Sequence, residues 1–145
     1  MALVVLIPLL ALLDAFGQRP QTDRASNAAA DLEVYAPSRV RGGLMFMGRF
    51  TIAAHQELRS PALVLDPGWA EGMQVNTVTP APESEESRDG KLVYHYDTIP
   101  AGETVVVFAQ FQVNPTNVGR RSQSVRLEAS GVPTLSVDRT VTVFP

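Results

Sequence analysis

The side chains best suited to chemistry in this chain are two histidines, His55 and His95, and an acidic run at Glu83, Glu85, Glu86 and Asp89. A histidine acts as general base when a nucleophile lies beside it and a carboxylate orients its ring. His95 sits inside LVYHYD, on the face opposite Tyr94 and Tyr96, and reads as a surface or edge histidine. His55 lies in AAHQELRS, a loop, and isolated imidazoles make a poor metal site. The acids of PAPESEESRDG offer the hard oxygens calcium takes, but not the alternating ligand spacing of a dedicated calcium loop. They read as solvated. A paired-carboxylate hydrolase needs two acids facing across a cleft, and no pair stands apart from ordinary surface acids. With no cysteine there is no disulfide, thiolate metal site, cysteine nucleophile or lipid anchor on an N-terminal cysteine. The expectation is a non-enzymatic chain with no catalytic, cofactor-binding or metal site, and no cofactor.

Five residues remain as candidates for binding a partner. Trp69, the only tryptophan, follows a Pro-Gly turn. It reads either as a core plug at one end of a sandwich or as an exposed anchor of the kind enriched at interface hot spots. Met45 and Met47 share a strand face with Arg49, as an adaptable apolar patch or as residues buried beneath a neighbouring loop. Arg120 and Arg121 close VNPTNVGRRSQS, a stiff turn in which Asn114 and Asn117 suit backbone capping and Gly119 permits positive φ. Their planar guanidinium forks fit a carboxylate, a lipid phosphate or an acidic partner. Net charge is −3 over 145 residues, with both signs scattered, so no basic face is offered to nucleic acid.

The elements that must carry these residues begin with a leader. Residues 2–16, ALVVLIPLLALLDAF, are apolar apart from Asp14. As a helix they would span about 22 Å, less than the roughly 30 Å hydrocarbon core of a bilayer. A signal peptide, a membrane anchor extended by its neighbours and a buried helix all fit. Residues 1–17 are read as an N-terminal hydrophobic helix serving as membrane anchor or signal peptide. Residues 18–30, QRPQTDRASNAAA, lack any period and read as a flexible tether of about 20 Å span. Arg19 and Arg24 after the apolar block favour a cytoplasmic domain by the positive-inside tendency, whereas analogy with anchored sandwiches favours an extracytoplasmic one, the side expected here.

Residues 31–145 alternate with period two in short runs broken by Pro, Gly, Asn and Asp, the pattern of an all-β domain. Leu44, Phe46, Gly48, Phe50 and Ile52 predict one core face. Val105, Val107, Ala109, Phe111 and Val113 predict a central strand, and Asp89-Gly90 a tight turn. Single strands are predicted over 122–129 and 134–144, with Arg139 interrupting the apolar face of the second and a bulge near it. About seven or eight antiparallel strands of this kind make an immunoglobulin-like β-sandwich.

The span DGKLVYHYDTIPAGETVVVFAQFQV, residues 89–113, resembles the cadence of bacterial immunoglobulin-like domains of the adhesion-related and cell-surface type. With the leader and the ending RTVTVFP, the whole is similar to uncharacterised bacterial single-pass membrane-anchored proteins of that class. The resemblance implies a sandwich at a membrane and brings no site residues. It points to docking onto another membrane or envelope protein, as an accessory subunit of a membrane complex, or alternatively to an extracytoplasmic ligand- or carbohydrate-binding module.

Overall fold

The computed structural model describes residues 19–130 and 132–145. The apolar segment read as an anchor, residues 1–17, lies outside the described residues. Among those described, no helix is long and apolar enough to cross a membrane.

The chain folds as two facing β-sheets. In order, the strands are β1 (Arg19–Ser26), β2 (Ala30–Arg41), β3 (Met45–Ala54), β4 (Pro61–Leu65), β5 (Met73–Thr79) and β6 (Ser84–Arg88). They continue with β7 (Lys91–His95), β8 (Thr104–Val113), β9 (Gly119–Ser122), β10 (Val125–Ala129), β11 (Val132–Val137) and β12 (Thr140–Phe144). A 3-10 turn, Pro67–Trp69, follows β4. The larger sheet runs β5-β8-β3-β2-β12-β9, with β1 also on β2, and the smaller runs β11-β10-β4-β7-β6. All pairs are antiparallel except β12 with β2, so the predicted antiparallel sandwich has one parallel contact, between its early and last strands.

Alternation sets the interior. Phe46, Phe50 and Ile52 on β3 face Val107, Ala109 and Phe111 on β8, and all are buried. Trp69 lies between the sheets with its ring centroid 5.1 Å from that of Phe111 and 5.2 Å from that of Phe50. Burying each such side chain stabilises the fold by about 1.5–3 kcal/mol. Leu44, expected on this core face, falls in the turn before β3 and is exposed.

Three expectations are corrected. Residues 19–26, taken for tether, form β1 and pair with β2 from Asp31 to Arg39, so the sandwich includes them. Its inward position carries Asp23, which meets the buried Arg139 guanidinium at 3.3 Å, and a charge there hides the strand from any apolar count. Residues 84–88, taken for an exposed excursion, form edge strand β6, joined to β7 by the predicted Asp89-Gly90 turn with both residues at positive φ. All five of its residues are exposed, and its charge discourages further edge pairing.

The third correction concerns the C-terminal hairpin. The strands predicted over 122–129 and 134–144 each break in two and pass from one sheet to the other side by side. Ser122 pairs with Thr140 in the larger sheet and Val125 with Val137 in the smaller, so both strands advance three residues and keep register. At the crossing Gln123 N–H donates to the Arg139 carbonyl at 2.9 Å, and Arg139 Nη1 donates to Gln123 Oε1 at 3.0 Å. Arg139 Nη2 reaches the carbonyls of Ala36 and Pro37 at 3.1 and 3.0 Å. The arginine that interrupts the apolar pattern therefore marks a strand break, where a bulge was expected. Gly68 lets the 3-10 turn press against this crossing, because a Cβ there would collide with the Ser122 carbonyl.

Candidate docking surface

The groups suited to catalysis do not assemble. His55 Nε2 pairs with Asp31 at 3.0 Å and His95 Nε2 with Glu86 at 3.2 Å, on different sheets. A hydrogen bond from Ser26, with His55 adding to it, lowers the pKa of Asp31, and one from Arg88, with His95 adding, lowers that of Glu86. These carboxylates are thereby committed to surface ion pairs. Glu83 shifts the other way because its carboxyl hydrogen-bonds that of Asp97. No group of three or more metal-ligating side chains occurs among the described residues.

The five candidate contact residues divide. Trp69 is 0% exposed, its indole N–H donates to the Gln123 carbonyl at 2.9 Å, and the Arg139 guanidinium lies 5.2 Å over its ring. It is the core plug, and the partner-anchor reading of Trp69 is corrected. Arg121 is also committed, through Nε to Asn117 Oδ1 at 3.0 Å and Nη1 to Glu71 at 3.2 Å. Arg120, its neighbour, points the opposite way and is exposed, as alternation along β9 requires.

Met45 and Met47 are 48% and 50% exposed on the outer face of the larger sheet. The sequence pattern did not single out a third member of that patch. Phe108, on the outer face of β8 and 43% exposed, pairs with Arg49, two residues along β3 from Met47. The signal was available: Phe108 is in phase with Gln110 and Gln112, and these sit opposite Met47 and Met45. Arg49 lies 4.7 Å over the Tyr35 ring and bonds Glu33, which fixes the patch's polar border. Beside Met47 a cleft of about 220 Å³ opens between β2 and β3, lined by Pro20, Tyr35, Pro37, Phe46 and Met47. The strands pair only as far as Tyr35 and Arg49, and the cleft forms where they part.

No family model and no curated protein sequence matches this chain. Solved structures with a similar fold include CaCohA2 from Clostridium acetobutylicum, at 13% identity and TM-score 0.50, over 77% of this chain and 88% of that one. Another is AvmM, described as catalysing macrocyclization in alchivemycin A biosynthesis, at 6% identity and TM-score 0.52, over 89% and 90%. A cohesin module from a Clostridium perfringens ATCC13124 family 33 glycoside hydrolase aligns at 16% identity and TM-score 0.49, over 81% and 98%. At these identities the likeness to CaCohA2 and AvmM speaks for the all-β, two-sheet fold alone.

Proposed function

We propose that the chain is a non-enzymatic, membrane-tethered β-sandwich that docks onto another membrane or envelope protein through the outer face of its larger sheet. One observation carries this reading: Met45, Met47 and Phe108 stand exposed on adjacent, hydrogen-bonded strands of one sheet face. Soluble domains rarely leave such residues clustered on a rigid face without a partner. Methionine adapts its shape to the surface it meets. The apolar residues 2–16 support a tether, and analogy with anchored sandwiches favours a domain on the extracytoplasmic side. The alternative, a carbohydrate module, calls for an aromatic platform, and the tryptophan and the tyrosines are taken: Trp69, Tyr94 and Tyr96 are buried and Tyr35 lies under Arg49.

The test is detergent solubilisation of native membranes followed by purification of the full chain and of a Phe108→Glu variant. A discrete partner that co-purifies with the first and is lost from the second is expected. Recovery of the wild-type chain as a clean monomer would contradict the proposal.

A further inference from the structure

The sandwich has two ends, and the end at which the chain enters differs chemically from the rest. There β1 begins, with Arg19 opposite Arg39 and Pro20 opposite Pro37. The β2–β3 turn, the 114–118 loop, the start of β9 and the last residues of β12 gather at the same end. Leu44, Val118 and Phe144 project from it, 46%, 52% and 43% exposed.

Three arginines surround them. Arg39 and Arg41 on β2 and Arg120 on β9 are exposed on the outer face of the larger sheet. Thr142 of β12 pairs with both Arg39 and Arg120, and Phe144 pairs with Arg41, so the three cations and the phenylalanine form one patch. None of the three pairs with a carboxylate among the described residues, and Glu71, at this end, is already held by Arg121 at 3.2 Å. The loops are firmly presented. Gly43 N–H donates to the Val113 carbonyl at 2.8 Å and Val113 N–H to the Leu44 carbonyl at 2.9 Å. Asn117, buried, donates to the Gly72 carbonyl at 3.1 Å, which fixes the loop that carries Val118.

The sequence before the described residues sets an apolar block close along the chain to this end. The apolar residues 2–16 stop three positions before Arg19, so whatever holds them lies within a few residues of the patch. We propose that this end is a membrane-contact surface: Leu44, Val118 and Phe144 enter the headgroup boundary, while Arg39, Arg41 and Arg120 bind the phosphates of anionic lipids. The sandwich then rests on the bilayer, with Met47 and Phe108 turned to a partner in the same plane. The proposal rests on the tether for proximity, but its chemistry belongs to the patch. Apolar tips with flanking cations are the combination that binds an anionic interface, and salt weakens the cationic part.

The absence of cysteine makes the test clean. The full chain with Val118→Cys, or with Gln56→Cys at the opposite end, carries an environment-sensitive dye. Each is reconstituted into vesicles of phosphatidylcholine alone or mixed with phosphatidylglycerol. On mixed vesicles the Val118 probe is expected to shift to the blue and be shielded from an aqueous quencher, and the Gln56 probe to stay open. Arg39→Gln, Arg41→Gln and Arg120→Gln should each weaken the shielding equilibrium about fivefold, with the circular-dichroism spectrum unchanged. A Val118 probe as open to quencher on mixed vesicles as in detergent would overturn the proposal. So would shielding that is equal on both vesicle types and indifferent to the three substitutions. If the tether fails instead, the chain washes off neutral vesicles, while the Val118 signal on mixed vesicles still reads the patch.

Discussion

The outer faces of the two sheets start from the same materials and end differently. The smaller sheet places Ala62, Val64 and Val93 on its outer face, and all three are buried, at 4%, 3% and 0% exposure. Its own charges cover them. Arg88, on edge strand β6, reaches over β7 and β4 to Glu128 on β10 at 3.1 Å, and also holds Glu86, which in turn meets His95. The larger sheet places Met47 and Phe108 on its outer face, 50% and 43% exposed. One face is sealed within the chain, and the other keeps large apolar side chains at the surface. Exposed apolar residues alone mean little, because much of any protein surface is apolar. The contrast within one small domain is what gives the open face its meaning.

Four effects break or sharpen this contrast. The largest effect is expected from Trp69→Ala, which empties the interior that both sheets share and should cost about 3–5 kcal/mol in denaturant unfolding. Next, Arg88→Ala strips the seal and leaves the Glu128 carboxylate, 5% exposed, without its cation. A loss of stability in denaturant unfolding, smaller than that of Trp69→Ala, is expected, with new binding of an apolar dye. Adding Glu128→Leu should restore most of the stability, since an apolar residue can replace a buried ion pair.

The third effect belongs to the smaller sheet and its flank. Burial pushes the phenols of Tyr94 and Tyr96 up to about 12, with nearby negative charge adding to it. In the unfolded chain they ionise near 10, so the unfolded state gives up these protons first. Their contribution is intact below about pH 10 and is lost as pH rises toward 12. Thermal melts should be insensitive to these groups up to pH 9 and then fall, and Tyr94→Phe should flatten the fall. The smallest effect on stability is expected from Phe108→Glu or Met47→Glu, within about 0.5 kcal/mol of wild type. A large destabilisation from either would mean that the open face is structural.

The strands of the interior were legible in the sequence because their apolar residues keep period two. β8 falls on the residues expected to form a central strand, and the core faces of β3 and β8 carry the expected side chains, Leu44 excepted. What stayed hidden was polar. β1 and β6 are strands by backbone pairing, and their side chains, Asp23 and Ala25 apart, make little use of the interior. The crossing at Gln123 and Arg139 was visible only as an unexplained arginine on an apolar face, because its partners lie far away along the chain. The patch was legible through Met45 and Met47. Phe108 was missed because its strand looked central, and a central strand is expected to be covered on both faces. Whether Trp69 was plug or anchor was a matter of three-dimensional packing that no local pattern records.

The most direct measurement places one photo-crosslinking side chain at Met47 and, in a second version, at Arg126, an exposed position on the outer face of the smaller sheet. Both versions are irradiated in native membranes. A discrete adduct from Met47 and none from Arg126 is the predicted result. An adduct from Arg126 with none from Met47 would contradict the assignment of the larger sheet's outer face as the docking surface.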